Sequence, residues 1–149
     1  MKTEALEAAE ALSAKGAVAP RVSVQDIENS IDHAFYVTAA EAVSGIPNRE
    51  PGFIPPSLEI LTLCILVMAN GWVVIGKSAP ASPENFDPEK GQKFAYEDAV
   101  RQLWPLMGFA LKERLQTQEL REEIEPFDGD GDGHPGGSKK KDKEEAEPA

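Results

Sequence analysis

Cysteine and histidine are nearly missing from this 149-residue chain: Cys64 stands alone, and the only histidines are His33 and His134. A single cysteine excludes an intramolecular disulfide. So few thiols and imidazoles also exclude a zinc-type ligand cluster, and no cofactor is expected. Positive charge is short too, with 15 Lys and Arg against 26 Asp and Glu, for a net charge of −11. That balance gives no basic footprint for nucleic acid, and no nucleic-acid partner is expected. A surface imitating nucleic acid would also be acidic, but a solvated surface is the simpler reading. The first ten residues include acids and lack an apolar h-region, so no signal peptide is expected there and a cytoplasmic setting is the default.

The charge is uneven. Residues 1–19 carry −1, residues 20–118 carry −4 and residues 119–149 carry −6, so the last segment holds over half of the excess. Three regions are expected: residues 1–20 disordered or as a frayed helix, residues 21–118 as a single folded domain, and residues 119–149 as a short helix extension followed by an acidic disordered tail. Lys2–Lys15 has helical composition, but only Leu6 and Leu12 are large and apolar, and a helix this short is marginal alone in water. The tail carries Asp128, Asp130 and Asp132 followed by Gly133, like the opening of a calcium loop. Lys139 then stands where a bidentate Glu is required, so a solvated linker is the better reading. The lysines of 139–143 are neutralised by adjacent acids.

Within the central region, Ser23 and Asp26 form a capping pattern ahead of Val24, Ile27 and Ile31, which share a helix face. Residues 33–38, with Phe35, Tyr36 and Val37, suit a strand, and 38–43 another helical turn. Four prolines (Pro47, Pro51, Pro55 and Pro56) make 45–56 a loop. Leu58 to Ala69 is a nearly unbroken apolar run, followed by Asn70-Gly71 and then Trp72 to Ile75. Asn-Gly between two such runs predicts a two-residue hairpin turn. That register sets Ala69 opposite Trp72, Val67 opposite Val74 and Ile65 opposite Gly76. On the other face Met68 meets Val73, Leu66 meets Ile75 and Cys64 meets Lys77. Both faces are largely apolar, so helices should cover one and the other should be largely shielded. A membrane span over 58–76 is just long enough, but Glu59, Asn70 and Gly71 and the lack of flanking basic residues oppose it.

Asp87-Pro88-Glu89 is a helix start. Tyr96, Ala99, Val100 and Leu103 then share a face. Pro105 should break or kink the helix at Trp104, leaving a second helix to about Gln118 with Leu106, Phe109, Ala110 and Leu115 inward. The resulting fold class is α+β: a small sheet centred on the Asn70-Gly71 hairpin, covered by two or three helices, with disordered terminal segments.

No phosphate loop or Ser-His-Asp set is visible. Segment 78–86 (SAPASPENF) joins hairpin to helix; Ser82 or Asn85 is placed to bond free N–H groups at the helix start, and Phe86 to plug the core. A helix start of this kind is also a potential anion site.

The run from Leu61 to Ser78 (LTLCILVMANGWVVIGKS), then Ala81 to Asp87 (ASPENFD), Gly91, Ala95 to Ala99 (AYEDA) and Leu103 to Leu106 (LWPL), resembles the small tailed-phage proteins named for N-four gp-forty-nine and Sf-six gp-sixty-six. The resemblance spans roughly 22–114 and is closest over 58–111. It implies a phage or prophage origin and action in the cytoplasm of the infected bacterium. It carries no activity and no catalytic residues.

The leading expectation is a non-catalytic accessory protein that binds a host protein, with Trp72, Lys77, Ser82, Glu84, Asn85, Phe86 and Trp104 as the candidate surface and Phe53 as a further aromatic to locate. A small-ligand binder for a nucleotide-like signal would use Lys77, Lys90, Lys93 and Arg101. An enzyme would need a cleft around Asp32, His33 or Glu97. A membrane-acting phage protein is the fourth reading, with no membrane contact expected. A hairpin with two apolar faces also makes a second copy of the chain a candidate partner, as a homodimer.

Overall fold

A computed structural model describes residues 1–124 of the chain. The expectations for the acidic tail, including Asp128–Gly133 and the lysines of 139–143, lie outside the described residues. The elements in order are α1 (Glu4–Ala14), α2 (Val24–Ser30), β1 (Ile31–Thr38), α3 (Ala39–Ser44), β2 (Thr62–Met68), β3 (Val73–Ser78) and α4 (Pro88–Ile124), with short 3-10 turns at Pro56–Leu58 and Pro83–Asn85. The strands form one antiparallel sheet in the order β1-β2-β3. The fold is therefore α+β, as the sequence predicts.

The local signals form as expected where the chemistry is short-range. Ser23 caps α2 and Thr38 caps α3, each in a reciprocal capping box, with Asp26 and Glu41 respectively. Asp87 Oδ1 accepts from the backbone N–H groups of Glu89 (3.0 Å) and Lys90 (3.2 Å) at the start of α4.

The hairpin differs from its expected register by one residue. Met68 N–H donates to the Trp72 carbonyl and Gly71 N–H to the Met68 carbonyl, both at 2.8 Å. Only Gly71, at φ 83, is left-handed in this turn. The loop is thus the three-residue kind, a turn closed by a left-handed glycine. Leu66 now faces Val74 and Cys64 faces Gly76, while Lys77 pairs with Leu63. The two-residue turn would have set Lys77 beside buried Cys64, at the cost of desolvating an ammonium.

The observed register also places Gly76 under α4. A Cβ there would run into the Ala95 carbonyl oxygen and lie 2.5 Å from Ala99 N. The backbones of β3 and α4 touch at this point, which only glycine permits. The core lies between the sheet's inner face (Cys64, Leu66, Met68, Val74) and α4 (Ala95, Tyr96, Ala99, Val100, Leu103), closed by Val24 and Ile27 of α2 and Leu6 of α1.

Three expectations need correcting. First, α1 is a formed helix, neither frayed nor disordered: Thr3 caps it and Leu6 is 1% exposed. Burying a leucine stabilises by about 2 kcal/mol, enough to hold a marginal helix. Second, α4 is one 37-residue helix that runs through Pro105. The carbonyl that loses its partner belongs to Arg101, and Arg101 and Pro105 are both exposed, so water can take the lost bond. Phe109 and Ala110 are consequently exposed where they were expected inward, Leu106 is 47% exposed, and Leu115 is only half-buried. Third, with no second helix folding back, the sheet's outer face is not shielded.

Gly76→Ala should lower stability by about 3 kcal/mol, the upper range for overpacking. Gly71→Ala, with open space around it, should lose only about 1–2 kcal/mol from its left-handed backbone. Urea unfolding compares the two. The caps also predict the acid limb. Hydrogen bonds from the backbone, foremost Ser23, Thr38 and Lys90 respectively, hold the Asp26, Glu41 and Asp87 carboxyls below their ordinary 3.8 (Asp) and 4.5 (Glu). Their contribution is complete above those values and is lost as pH falls through the depressed ones. The combined variant Asp26→Asn, Glu41→Gln, Asp87→Asn should flatten the fall in urea midpoint below pH 4.5.

Candidate functional site: the uncovered sheet face and the hairpin-tip groove

Strand alternation sends successive side chains to opposite faces. On the inner face Thr62, Cys64, Leu66 and Met68 are all buried. The outer face is built from three cross-strand rows: His33, Val67 and Val73; Phe35, Ile65 and Ile75; Val37, Leu63 and Lys77. Phe35 (55%), Ile75 (54%) and Val73 (49%) are exposed, and Leu63, Ile65 and Val67 are half-buried. Lys77 and His33 are the only ionisable residues in these rows, and the Asp32 carboxylate reaches only the His33 corner, so a contiguous apolar surface stands on a strongly acidic chain.

A second concavity lies at the hairpin tip, between the turn, α2 and α4. It encloses about 610 Å³, with Trp72, Met68, Leu103, Leu106 and Met107 among its walls and Arg114 at its rim. Trp72 is 59% exposed there.

The predicted surface residues do not form one site. Trp72 precedes β3 while residues 82–86 follow it, about 20 Å away along a six-residue strand. Lys77 is exposed on the outer face. Ser82, Glu84 and Asn85 make the 3-10 turn, where Ser82 offers only its carbonyl, to Asn85 N–H at 3.1 Å. Asp87, rather than Ser82 or Asn85, supplies the cap of α4. Phe86 is half-buried beside Gly91. Trp104 is an internal anchor: its indole N–H donates to the Val22 carbonyl at 3.0 Å. Phe53, in the loop after α3, is 81% exposed.

The groups named for catalysis are also separated. Asp32 and His33 make an exposed 3.3 Å pair at the β1 bulge, with His33 on the outer face. Glu97 is on α4 beneath the opposite face and 3% exposed, with Arg101 Nη2 3.9 Å from its Oε2. Lys90 pairs with Asp87 at 3.6 Å. Among the described residues no group of three or more His, Cys, Asp or Glu could hold a metal. Burial pushes the Cys64 thiol up to about 11 and the hydroxyl of Tyr36, its cross-strand neighbour, up to about 12, so both are neutral near pH 7. Among the described residues no helix is long and apolar enough to cross a membrane, and residues 62–78 are a hairpin.

Sequence reasoning missed Phe35, Val73 and Ile75 as surface residues. The signal was present in Lys77 and Gly76, whose chemistries require the observed register.

These features define a small open-faced α+β domain: one layer of helices, one sheet, and one sheet face left bare. The chain belongs to the phage protein (N4 Gp49/phage Sf6 gene 66) family, whose model matches residues 22–115. No curated protein and no solved structure matches it.

Native Cys64 should resist maleimide at pH 8 and react fully in urea. Fast labelling of the native chain would show that the inner face opens readily.

Proposed function

We propose that this phage protein is a non-catalytic accessory protein that binds a host protein through the outer face of its sheet. The observation that supports this is the bare face itself, with Phe35, Val73 and Ile75 exposed in adjoining rows. Large contiguous apolar patches on domains of this size mark interaction surfaces, and aromatic residues are enriched at them. Binding there would take place in the infected cell, and the acidic remainder of the chain disfavours acidic partners.

Small-ligand binding is a second reading, favoured by the hairpin-tip groove, whose volume is in the usual range for ligand sites. Its walls suit a mostly apolar ligand better than a nucleotide, because Arg114 is the one cationic side chain among them and Lys77, Lys90, Lys93 and Arg101 do not line it. An enzymatic reading has no assembled acid, base and nucleophile in its support among the described residues.

The test is capture from infected-host lysate with the tagged full chain, followed by reassembly from purified components. One host protein held at fixed stoichiometry, released by Ile75→Asp and retained by Trp72→Ala, is the expected result. The converse pattern would move the site to the groove. Loss on removing residues 119–149 alone would move it to the tail. Capture of nothing would leave the face without a host partner and turn the search to ligands co-purifying with the chain.

A further inference from the structure

The two edges of the sheet are unlike. On β3, α4 engages two of the outward backbone groups: Lys77 N–H donates to Asp98 Oδ2 at 2.9 Å, and the Ile75 carbonyl accepts from Gln102 Nε2 at 3.0 Å. A helix that caps a strand edge in this way blocks pairing with another chain. On β1 the situation is reversed. Ala39 N–H donates to the Leu61 carbonyl at 2.9 Å, and bonded pairs alternate along an antiparallel ladder. Val37 and Phe35 therefore bond inward to Leu63 and Ile65, and Ala34, Tyr36 and Thr38 turn their N–H and C=O groups away from the sheet. The Thr38 N–H is taken by Glu41 Oε2 at 2.7 Å. The N–H and C=O of Ala34 and Tyr36 have no bond to any described residue outside the strand.

We propose that β1 pairs with β1 of a second copy about a two-fold axis at Phe35, making one six-stranded antiparallel sheet. The open window is self-complementary. With Phe35 opposite Phe35 of the second copy, Ala34 lies opposite Tyr36 of the second copy, and each pair exchanges both bonds. All four open groups of each chain are then used. Phe35 is in a non-bonded pair, where side chains stand closest, so two phenyl rings meet on the outer face. Charge favours the same seam: residues 34–40 (AFYVTAA) carry no formal charge in a chain of net −11, so two acidic copies can approach there. A closed two-fold pairing also uses the fully open edge, while side chains of α4 lie against the β3 edges at both ends of the enlarged sheet and hinder further addition. The pairing stands independently of host-protein binding, and it would join two bare faces into one surface.

Light scattering on the wild-type chain should give twice 16.1 kDa. Phe35→Lys, which sets two ammonium groups across the axis, should give the single-chain mass with unchanged circular dichroism. Cysteine cross-linking tests the register, with buried Cys64 as the silent background. Phe35→Cys should form a disulfide-linked dimer under mild oxidant, and Val73→Cys on the far strand should not. A mixture of His33→Cys and Val37→Cys chains should cross-link, while neither alone does, which keeps the test open should Phe35→Cys fail to fold. A wild-type chain of single mass up to about 100 µM, where any contact of tighter Kd is at least half formed, overturns the proposal. So does a dimer that cross-links through Val73→Cys instead. A single-mass chain whose Ala34 and Tyr36 amides become protected only when a captured protein is added would assign the edge to a foreign strand and overturn it equally.

Discussion

The contact between β3 and α4 at Gly76 is the constraint on which the architecture turns. Two backbones meet there with no side chain between them, so the strand and helix can approach in one register only. That register decides which side of β2 is buried, and it turns Lys77 away from the core. It also brings Asp98 and Gln102, one helical turn apart on α4, against the outward groups of β3. A single glycine thus determines the face, the edge and the turn together. The three-residue loop at Ala69–Gly71 is a consequence, because the turn must supply the spacing that the helix contact demands.

Much of this was legible in the sequence, and what was not has physical reasons. The capping box at Ser23, the helical turn from Thr38, the helix start at Asp87 and the hairpin position are readable because each depends on groups within a few residues. The register was not, because Asn-Gly suits two turn lengths and the choice falls to a helix twenty residues away. Pro105 is ambiguous in sequence for a related reason. A proline ends a helix when the freed carbonyl is buried, and whether Arg101 faces water is a tertiary fact. Leu6 carries little weight in an isolated helix, which is marginal, but that argument lapses once a core is available. The candidate site was the least legible part. An aromatic or apolar residue in sequence marks neither surface nor core: Trp104 is an internal anchor, while Phe35 and Ile75, in apolar strand runs, stand in solvent.

Helices α1, α2 and α4 lie on one side of the sheet. α4 covers β2 and β3 and caps one edge, and α1 and α2 close the flank of the same core. Nothing among the described residues crosses the other side. An isolated domain gains nothing from a bare apolar face, which is why that face, and not the acidic surface, supports an interaction role. Family membership supplies the phage setting, and under the proposed function the rows of Phe35, Val73 and Ile75 would set the chemistry of the partner.

The length of α4 has a hydrodynamic consequence. At 37 residues it spans about 55 Å, more than twice the length of the strands it packs on. Met107 and Leu111 still pack on the core, but every described residue past Leu115 is exposed, so the last turns of α4 project from the globular part as a rod. A rod adds friction out of proportion to its mass, so the chain should tumble and migrate as a larger particle than it is. Two copies joined at β1 would carry two such rods, and the drag on the assembly would depend on whether they point together or apart.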